Sequence, residues 1–163
     1  MVPAPAALAR GARLLKADDL ERVIAIDRAH TGRSRRRFFE KRFAAAKARS
    51  DDFVQVGIHN GGPLQGFAIA HILRGEFGRD DAIAVLDALG VEPAVKDRGV
   101  GQALIQELID ILHIMGVRVL QSQADWTNHL LLHFFDGCGF SLAPRQALER
   151  TVAVPLDETG EQV

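Results

Sequence analysis

Apolar and polar positions along the chain change period several times, and each change marks an element. Ala12–Lys16 reads as a short first strand. Asp18 then offers a helix cap ahead of Leu20, Val23, Ile24 and Ile26, which recur at helical spacing. That helix breaks at Thr31–Gly32, and a second runs from about Ser34 to Lys47 with Phe38, Phe39 and Phe43 on its apolar side. Phe53–His59 and Leu64–Ile72 read as two strands, and the turn-prone Asn60-Gly61-Gly62-Pro63 between them favours an antiparallel hairpin. Ala82–Val91 is almost wholly apolar, as a strand buried on both faces would be, and Pro93 closes it. From Gly99 the period becomes helical: Leu104, Leu108, Leu112 and Met115 form a stripe, Ile105 and Ile109 widen it, and Gly116 stops it. Val117–Ala124 is predicted as a further strand, His129–Asp136 as a fourth helix, and Ala147–Val154 as a last strand.

This order gives a mixed α/β (α+β) sheet in a single domain, with a strand–helix–strand crossover at its centre. The predicted domain spans 11–155, between loose ends at 1–10 and 156–163. With 47% hydrophobic and 25% charged residues, the chain can bury a sizeable core. A net charge of −1 gives the molecule no electrostatic pull towards nucleic acid or an anionic membrane. The single cysteine, Cys138, excludes an internal disulfide and a thiolate-rich metal cluster, so no metal is expected. No apolar run approaches the roughly 20 residues of a membrane span. Met1–Leu8 lacks the basic-then-apolar order of a signal peptide, so a cytoplasmic location is expected.

The stretch from Leu89 to Leu104 carries the chemistry. A buried strand ends, a glycine-bearing loop follows, and an amphipathic helix starts at once. Unpaired N–H groups and the positive end of the helix dipole make that start an anion site. Gly99 and Gly101 let a phosphate approach the backbone, and Lys96 and Arg98 add positive charge. A P-loop would need Gly-x-x-x-x-Gly-Lys-Ser/Thr, which does not occur. A dinucleotide fold would need a third glycine where Leu104 stands.

The run Val91-Glu92-Pro93 followed by Lys96-Asp97-Arg98-Gly99-Val100-Gly101 resembles the acetyl-CoA signature of the GNAT superfamily, Gln/Arg-x-x-Gly-x-Gly/Ala, with Lys at its first position. Asn128, an aromatic-rich helix and Gly139-Phe140 resemble the Asn…Tyr…Gly-Phe ending of the same family, at its usual spacing. The resemblance implies a mostly antiparallel sheet flanked by helices, and acetyl transfer from acetyl-CoA to a primary amine of a small molecule or peptide. By position it makes Leu89 the backbone donor to the acetyl oxygen. Leu89, Gly90, Val91, Lys96, Asp97, Arg98, Gly99, Val100, Gly101, Gln102 and Ala103 become cofactor contacts, with Gly90 suited to a strand bulge. Asn128 is assigned to the pantetheine portion and Phe135 to packing on the cofactor. Phe135 stands where the family often has tyrosine, and the chain contains no tyrosine, so the family's proton donor is missing.

Asp87 is the lone acid in its strand and the candidate base, since an apolar setting raises a carboxyl pKa. Asp27, His30 and Thr31, at the break between the first two helices, are candidate acceptor-pocket residues. Arg33, Arg35, Arg36, Arg37, Lys41, Arg42, Lys47 and Arg49, opposed only by Glu40, read as a solvated helix face, with an acidic acceptor or RNA as the alternative partner. The family resemblance further implies a homodimer. The competing class is a non-catalytic CoA-binding regulatory module, which the missing tyrosine favours.

Overall fold

The computed structural model describes residues 11–152, and the expected loose ends at 1–10 and 156–163 lie outside them. Five strands form one sheet in sequence order: β1 (Ala12–Leu14), β2 (Phe53–Ile58), β3 (Gly66–Leu73), β4 (Ile83–Val91) and β5 (Leu120–Gln121). The first four are mutually antiparallel and β5 runs parallel to β4. Four helices flank the sheet: α1 (Leu20–Thr31), α2 (Arg36–Ala48), α3 (Val100–Ile114) and α4 (His129–Gly137). The predicted mixed, mostly antiparallel α/β sheet in one domain is therefore the observed one. Among the described residues no helix is long and apolar enough to cross a membrane.

Each face of the sheet buries its own core. Val54, Val56, Ala68, Ala70, Ala84 and Leu86 meet Leu104, Ile105, Leu108, Ile111 and Leu112 of α3. Ile109, placed in the predicted stripe, is instead partly in solvent. On the opposite face Phe67, Ile69 and Ala88 meet Val23, Ile24 and Ile26 of α1 and Phe39 of α2. The rings of Phe39 and Phe67 pack edge to face, with centroids 5.6 Å apart. The hairpin turn closes as expected, with the Gln65 N–H donating to the Ile58 carbonyl at 2.7 Å. Gly116 (φ 77°) ends α3, and the Val117 N–H returns to the Leu112 carbonyl at 2.9 Å.

Two strand assignments differ from expectation. The predicted strand Val117–Ala124 contracts to Leu120–Gln121, because β5 pairs only at Ala84↔Leu120 and Val85↔Gln121 before the two strands part. The predicted last strand does not form within 147–152, where Leu148 and Val152 are exposed; its last two residues lie outside the described ones. Alternation alone makes no strand without a ladder partner, and a two-residue β5 offers little edge to pair with.

Candidate active site

The parting of β4 from β5 is the central feature. Beyond Val85 the β4 backbone from Leu86 to Val91 has no β5 partner, an open edge roughly 20 Å long at about 3.3 Å per residue. Which groups face it follows from the ladder on the other side. The Glu92 N–H donates to the Gln65 carbonyl at 2.7 Å, towards β3. In an extended chain the neighbouring residues alternate, so the N–H and C=O groups of Leu89 and Val91 face the open edge.

A bulge sets that phase. Ile69 pairs with Ala88 but Ala70 pairs with Leu86, leaving Asp87 as the extra residue. The bulge thus lies at Asp87, not at Gly90 as expected. Gly90 has a packing reason: a Cβ there would sit 2.6 Å from Cε1 of Phe67 and 3.1 Å from Cγ2 of Ile26.

At its far end the edge runs into the loop before α3. Asp97 (φ 65°) and Gly99 (φ 79°) both adopt left-handed conformations around Arg98, which curls successive backbone N–H groups towards one side. The first bond of α3 runs from the Ala103 N–H to the Gly99 carbonyl, 3.0 Å, so Val100, Gly101 and Gln102 contribute N–H groups that helix geometry leaves unpaired. Lys96, Asp97, Arg98 and Gly99 are exposed. A Cβ on Gly99 would meet nothing within 4 Å, so the space beside it is free for a ligand. Gly101 is different: a Cβ there would lie 3.0 Å from the Phe134 ring, so this glycine admits α4 close to α3. A groove of about 440 Å³ continues from the loop between these helices, lined by Gly99, Gln102, Ala103, Gln106, Gly137 and Cys138. Burial pushes the Cys138 thiol above its usual pKa.

Two expected contacts at this end move. Phe135 is buried in the α3-side core, with its ring 4.9 Å from that of Phe140. Its neighbour Phe134 is the ring that reaches the loop, because adjacent helical residues point about 100° apart. Asn128 caps α4, its Oδ1 accepting from the Leu131 N–H at 3.2 Å.

At the β5 end of the edge, the bulge turns Asp87 onto the α2 side. Its Oδ2 lies 2.8 Å from Nδ1 of His71 on β3 and 3.2 Å from Nε of Arg42 on α2. Arg42 also stacks 5.3 Å from the Phe38 ring centroid. The sequence does not single out His71, and Arg42 reads there only as part of a solvated basic face; the β3–β4 register and the packing of α2 bring them to Asp87.

The three residues expected around an acceptor pocket have other occupations. Asp27 is 3% exposed and bidentate with Arg35, at 2.5 and 3.0 Å, an ion pair that fixes α2 against α1. The hydroxyl of Thr31 lies 3.0 Å from the Asp27 carbonyl at the end of α1. His30 Nε2 donates to the Val91 carbonyl on the open edge, away from Asp87. Glu92 pairs with Arg22. The basic face of α2 is likewise partly neutralised from other elements, by Asp27, Glu21 and Asp87. No group of three or more His, Cys, Asp or Glu placed to hold a metal occurs among the described residues.

A sheet splayed beside a strand–loop–helix junction defines the class: an α/β domain with an open strand edge that leads to a helix N-terminus. The acetyltransferase (GNAT) family matches residues 14–140, and the chain belongs to it. Similar solved structures include an aminoglycoside 6′-N-acetyltransferase from Acinetobacter haemolyticus (TM-score 0.74, 13% identity, covering 88% of this chain and 98% of that one). Glucosamine-6-phosphate N-acetyltransferase from Arabidopsis thaliana is another (TM-score 0.64, 19% identity, 85% and 96%). A third is an aminoglycoside N-acetyltransferase in complex with CoA (TM-score 0.68, 19% identity, 87% and 99%). At these identities the likeness is one of fold. No curated protein sequence matches significantly.

Proposed function

We propose that this chain transfers an acetyl group from acetyl-CoA to a primary amine of a small molecule or peptide. The observation that carries the reading is the continuity of the open β4 edge with the start of α3. An extended amide-bearing chain ending in a pyrophosphate needs backbone partners along its length and N–H donors at its end, and the two features stand in that order. A fold neighbour that holds CoA supports the same ligand.

In this reading Leu89 and Val91 offer the backbone to the pantetheine amides, while Gly90, whose own groups face β3, only keeps the strand close to Phe67 and Ile26. The loop and first turn, Lys96, Asp97, Arg98, Gly99, Val100, Gly101, Gln102 and Ala103, take the pyrophosphate. The Leu89 N–H faces the acetyl oxygen, and a backbone donor fixed in a sheet reorganises little as charge develops there. The Val91 carbonyl, which already accepts from His30, has a second lone pair for an amide N–H. Asn128 and Phe135 support α4 rather than the ligand, and Phe134 takes over the aromatic position beside the loop. Proton removal from the acceptor falls to the cluster around Asp87. Asp27 and Thr31 shape the α1–α2 corner. The family resemblance supports a homodimer as the setting.

The test is release of free CoA from acetyl-CoA in the presence of a panel of amines, with melting temperature followed alongside. Turnover with at least one amine is expected. No thermal shift with acetyl-CoA and no CoA release with any amine would end the proposal.

A further inference from the structure

The carboxylate that the sequence offers as a base is poorly placed to be one. Asp87 Oδ2 is shut off from solvent, and its side chain is 8% exposed beneath His71 and Arg42. An acceptor amine cannot reach that oxygen without displacing one of them. His71 is more accessible, with 20% of its side chain exposed, yet its Nδ1 is buried against Asp87. The exposed part of the ring is therefore the part away from the carboxylate, the side that carries Nε2.

We propose that His71 is the catalytic base, acting through Nε2, and that Asp87 is its positioning residue. This rests on the acetyl-transfer reading above. Asp87, ionised, can only accept, so the partner nitrogen Nδ1 must carry the ring hydrogen. A neutral imidazole protonated at Nδ1 presents a lone pair at Nε2. The carboxylate then stabilises the imidazolium that forms when Nε2 takes a proton. Arg42, 3.2 Å from the same oxygen, pairs with Asp87 and holds it in the bulge. The charged groups facing His71 are thus Asp87 from β4 and Arg42 from α2, while β2 contributes the apolar Phe53 ring at 6.4 Å.

The 2.8 Å separation is that of a hydrogen bond, although the Nδ1–H does not yet point at the oxygen. Catalytic pairs are often misaligned before the substrate arrives and tighten in the complex. The bulge gives the arrangement its reason: it inserts Asp87 between two residues that pair normally and sets its side chain beside His71. His71 pairs with Val85, four residues from Leu89 or about 13 Å along the strand, a span to be filled by the imidazole, the amine nitrogen and a bridging water. The step balances as follows. The acceptor ammonium gives one proton to Nε2, and the freed lone pair bonds to the acetyl carbon. The C–S bond breaks with its electron pair on sulfur, and the proton then lost from nitrogen ends on that thiolate.

The test uses the full-length chain with His71→Gln, His71→Gly, Asp87→Asn and Arg42→Gln. Nitrogen NMR of the histidine ring should show the Nδ1–H tautomer in wild type and a mixed or reversed population in Asp87→Asn. With an amine found by the CoA-release assay, His71→Gln should lose about 10² to 10⁴-fold in turnover, the usual range for a general base. Its affinity for acetyl-CoA should stay the same. Added imidazole should restore part of the activity of His71→Gly, which a merely structural role would not allow. Asp87→Asn should lose less than His71→Gln, and Arg42→Gln less again. An Nε2–H tautomer in wild type, or one unaffected by Asp87→Asn, overturns the dyad whether or not any acceptor is known. So does a His71→Gln variant as active as wild type while Asp87→Asn is dead. Failure of wild type to acetylate any amine refutes the acetyl-transfer reading and is distinguishable, because the tautomer is read without turnover.

Discussion

Two glycines in the loop and first turn before α3 make opposite predictions under a single substitution, alanine. Gly99 has φ 79° and open space where a Cβ would go. Gly99→Ala therefore costs only the left-handed penalty, about 1–2 kcal/mol, or roughly 2–8 °C in a chain of this size. Gly101 lies inside α3, where alanine gains about 1 kcal/mol of helix propensity. Its new Cβ would stand 3.0 Å from the Phe134 ring, and the shift this forces costs about 1–3 kcal/mol. Gly101→Ala should therefore melt near wild type or slightly below. The ligand response separates them further. At a concentration 100 times Kd, acetyl-CoA stabilises by about 2.7 kcal/mol. If the Gly99→Ala methyl intrudes on the phosphate and weakens binding tenfold, the same concentration gives about 1.4 kcal/mol, so the thermal shift halves. Gly101→Ala should keep most of the shift, since its methyl points at α4. Pantetheine, which lacks the pyrophosphate, should bind wild type and Gly99→Ala alike. Differential scanning fluorimetry with both ligands is sufficient. A Gly99→Ala variant with a full acetyl-CoA shift would refute the anion cradle, and equal loss for pantetheine and acetyl-CoA would trace the defect to a displaced strand edge instead.

Gly90→Ala places a methyl 2.6 Å from the buried Phe67 ring, so a loss of about 1–3 kcal/mol is expected; calorimetry should show the earlier melting while titration of the folded protein gives an unchanged acetyl-CoA Kd. The Arg13 guanidinium holds the Asp19 carboxyl below its usual pKa, through hydrogen bonds of 2.6 and 2.7 Å. That stabilisation is present above about pH 4, the ordinary carboxyl range, and is lost as pH falls through the depressed value. Asp19→Asn should thus cost about 1.5–3 kcal/mol in urea unfolding at pH 7, with the gap from wild type closing as the medium approaches pH 3. Burial raises the Cys138 thiol pKa, so iodoacetamide at pH 8 should label it several-fold more slowly than free cysteine, and acetyl-CoA in the adjoining groove should slow labelling further; unchanged labelling with saturating acetyl-CoA would place the ligand elsewhere.

What the sequence reveals here is what depends on local period, and what it hides depends on phase between elements. The stripe of α3 and the wholly apolar β4 are legible because one helix or strand buries one set of positions whatever it packs against. The anion cradle is legible too, since loop, glycines and helix start are contiguous between Val91 and Ala103. Phe134 and Phe135 are the opposite case. Both are apolar, one turns to the core and the other to the loop, and the ring of Phe140 packed against Phe135 belongs to a segment whose position only the tertiary structure fixes. The bulge at Asp87 leaves no mark in sequence, because an acid flanked by Leu86 and Ala88 reads the same in or out of register. Yet that one extra residue does two things at once. It reverses which backbone groups of β4 face the splayed edge, from the Ala84 N–H bonded to the Val119 carbonyl at 2.9 Å to those of Leu89 and Val91 beyond. It also brings the carboxylate against His71, a residue whose own strand shows nothing unusual about it. Deleting Asp87 should consequently separate the two. Ile69↔Ala88 and Ala70↔Leu86 become consecutive pairs of a regular ladder, so Leu89 and Val91 keep facing the edge and acetyl-CoA binding survives, while His71 loses its partner and turnover falls. Restoring a carboxylate as Val85→Asp on the deleted background should recover part of the turnover, because Val85 is the cross-strand partner of His71. Loss of acetyl-CoA binding on deletion would show that the bulge itself, and not only the ladder beyond it, shapes the edge.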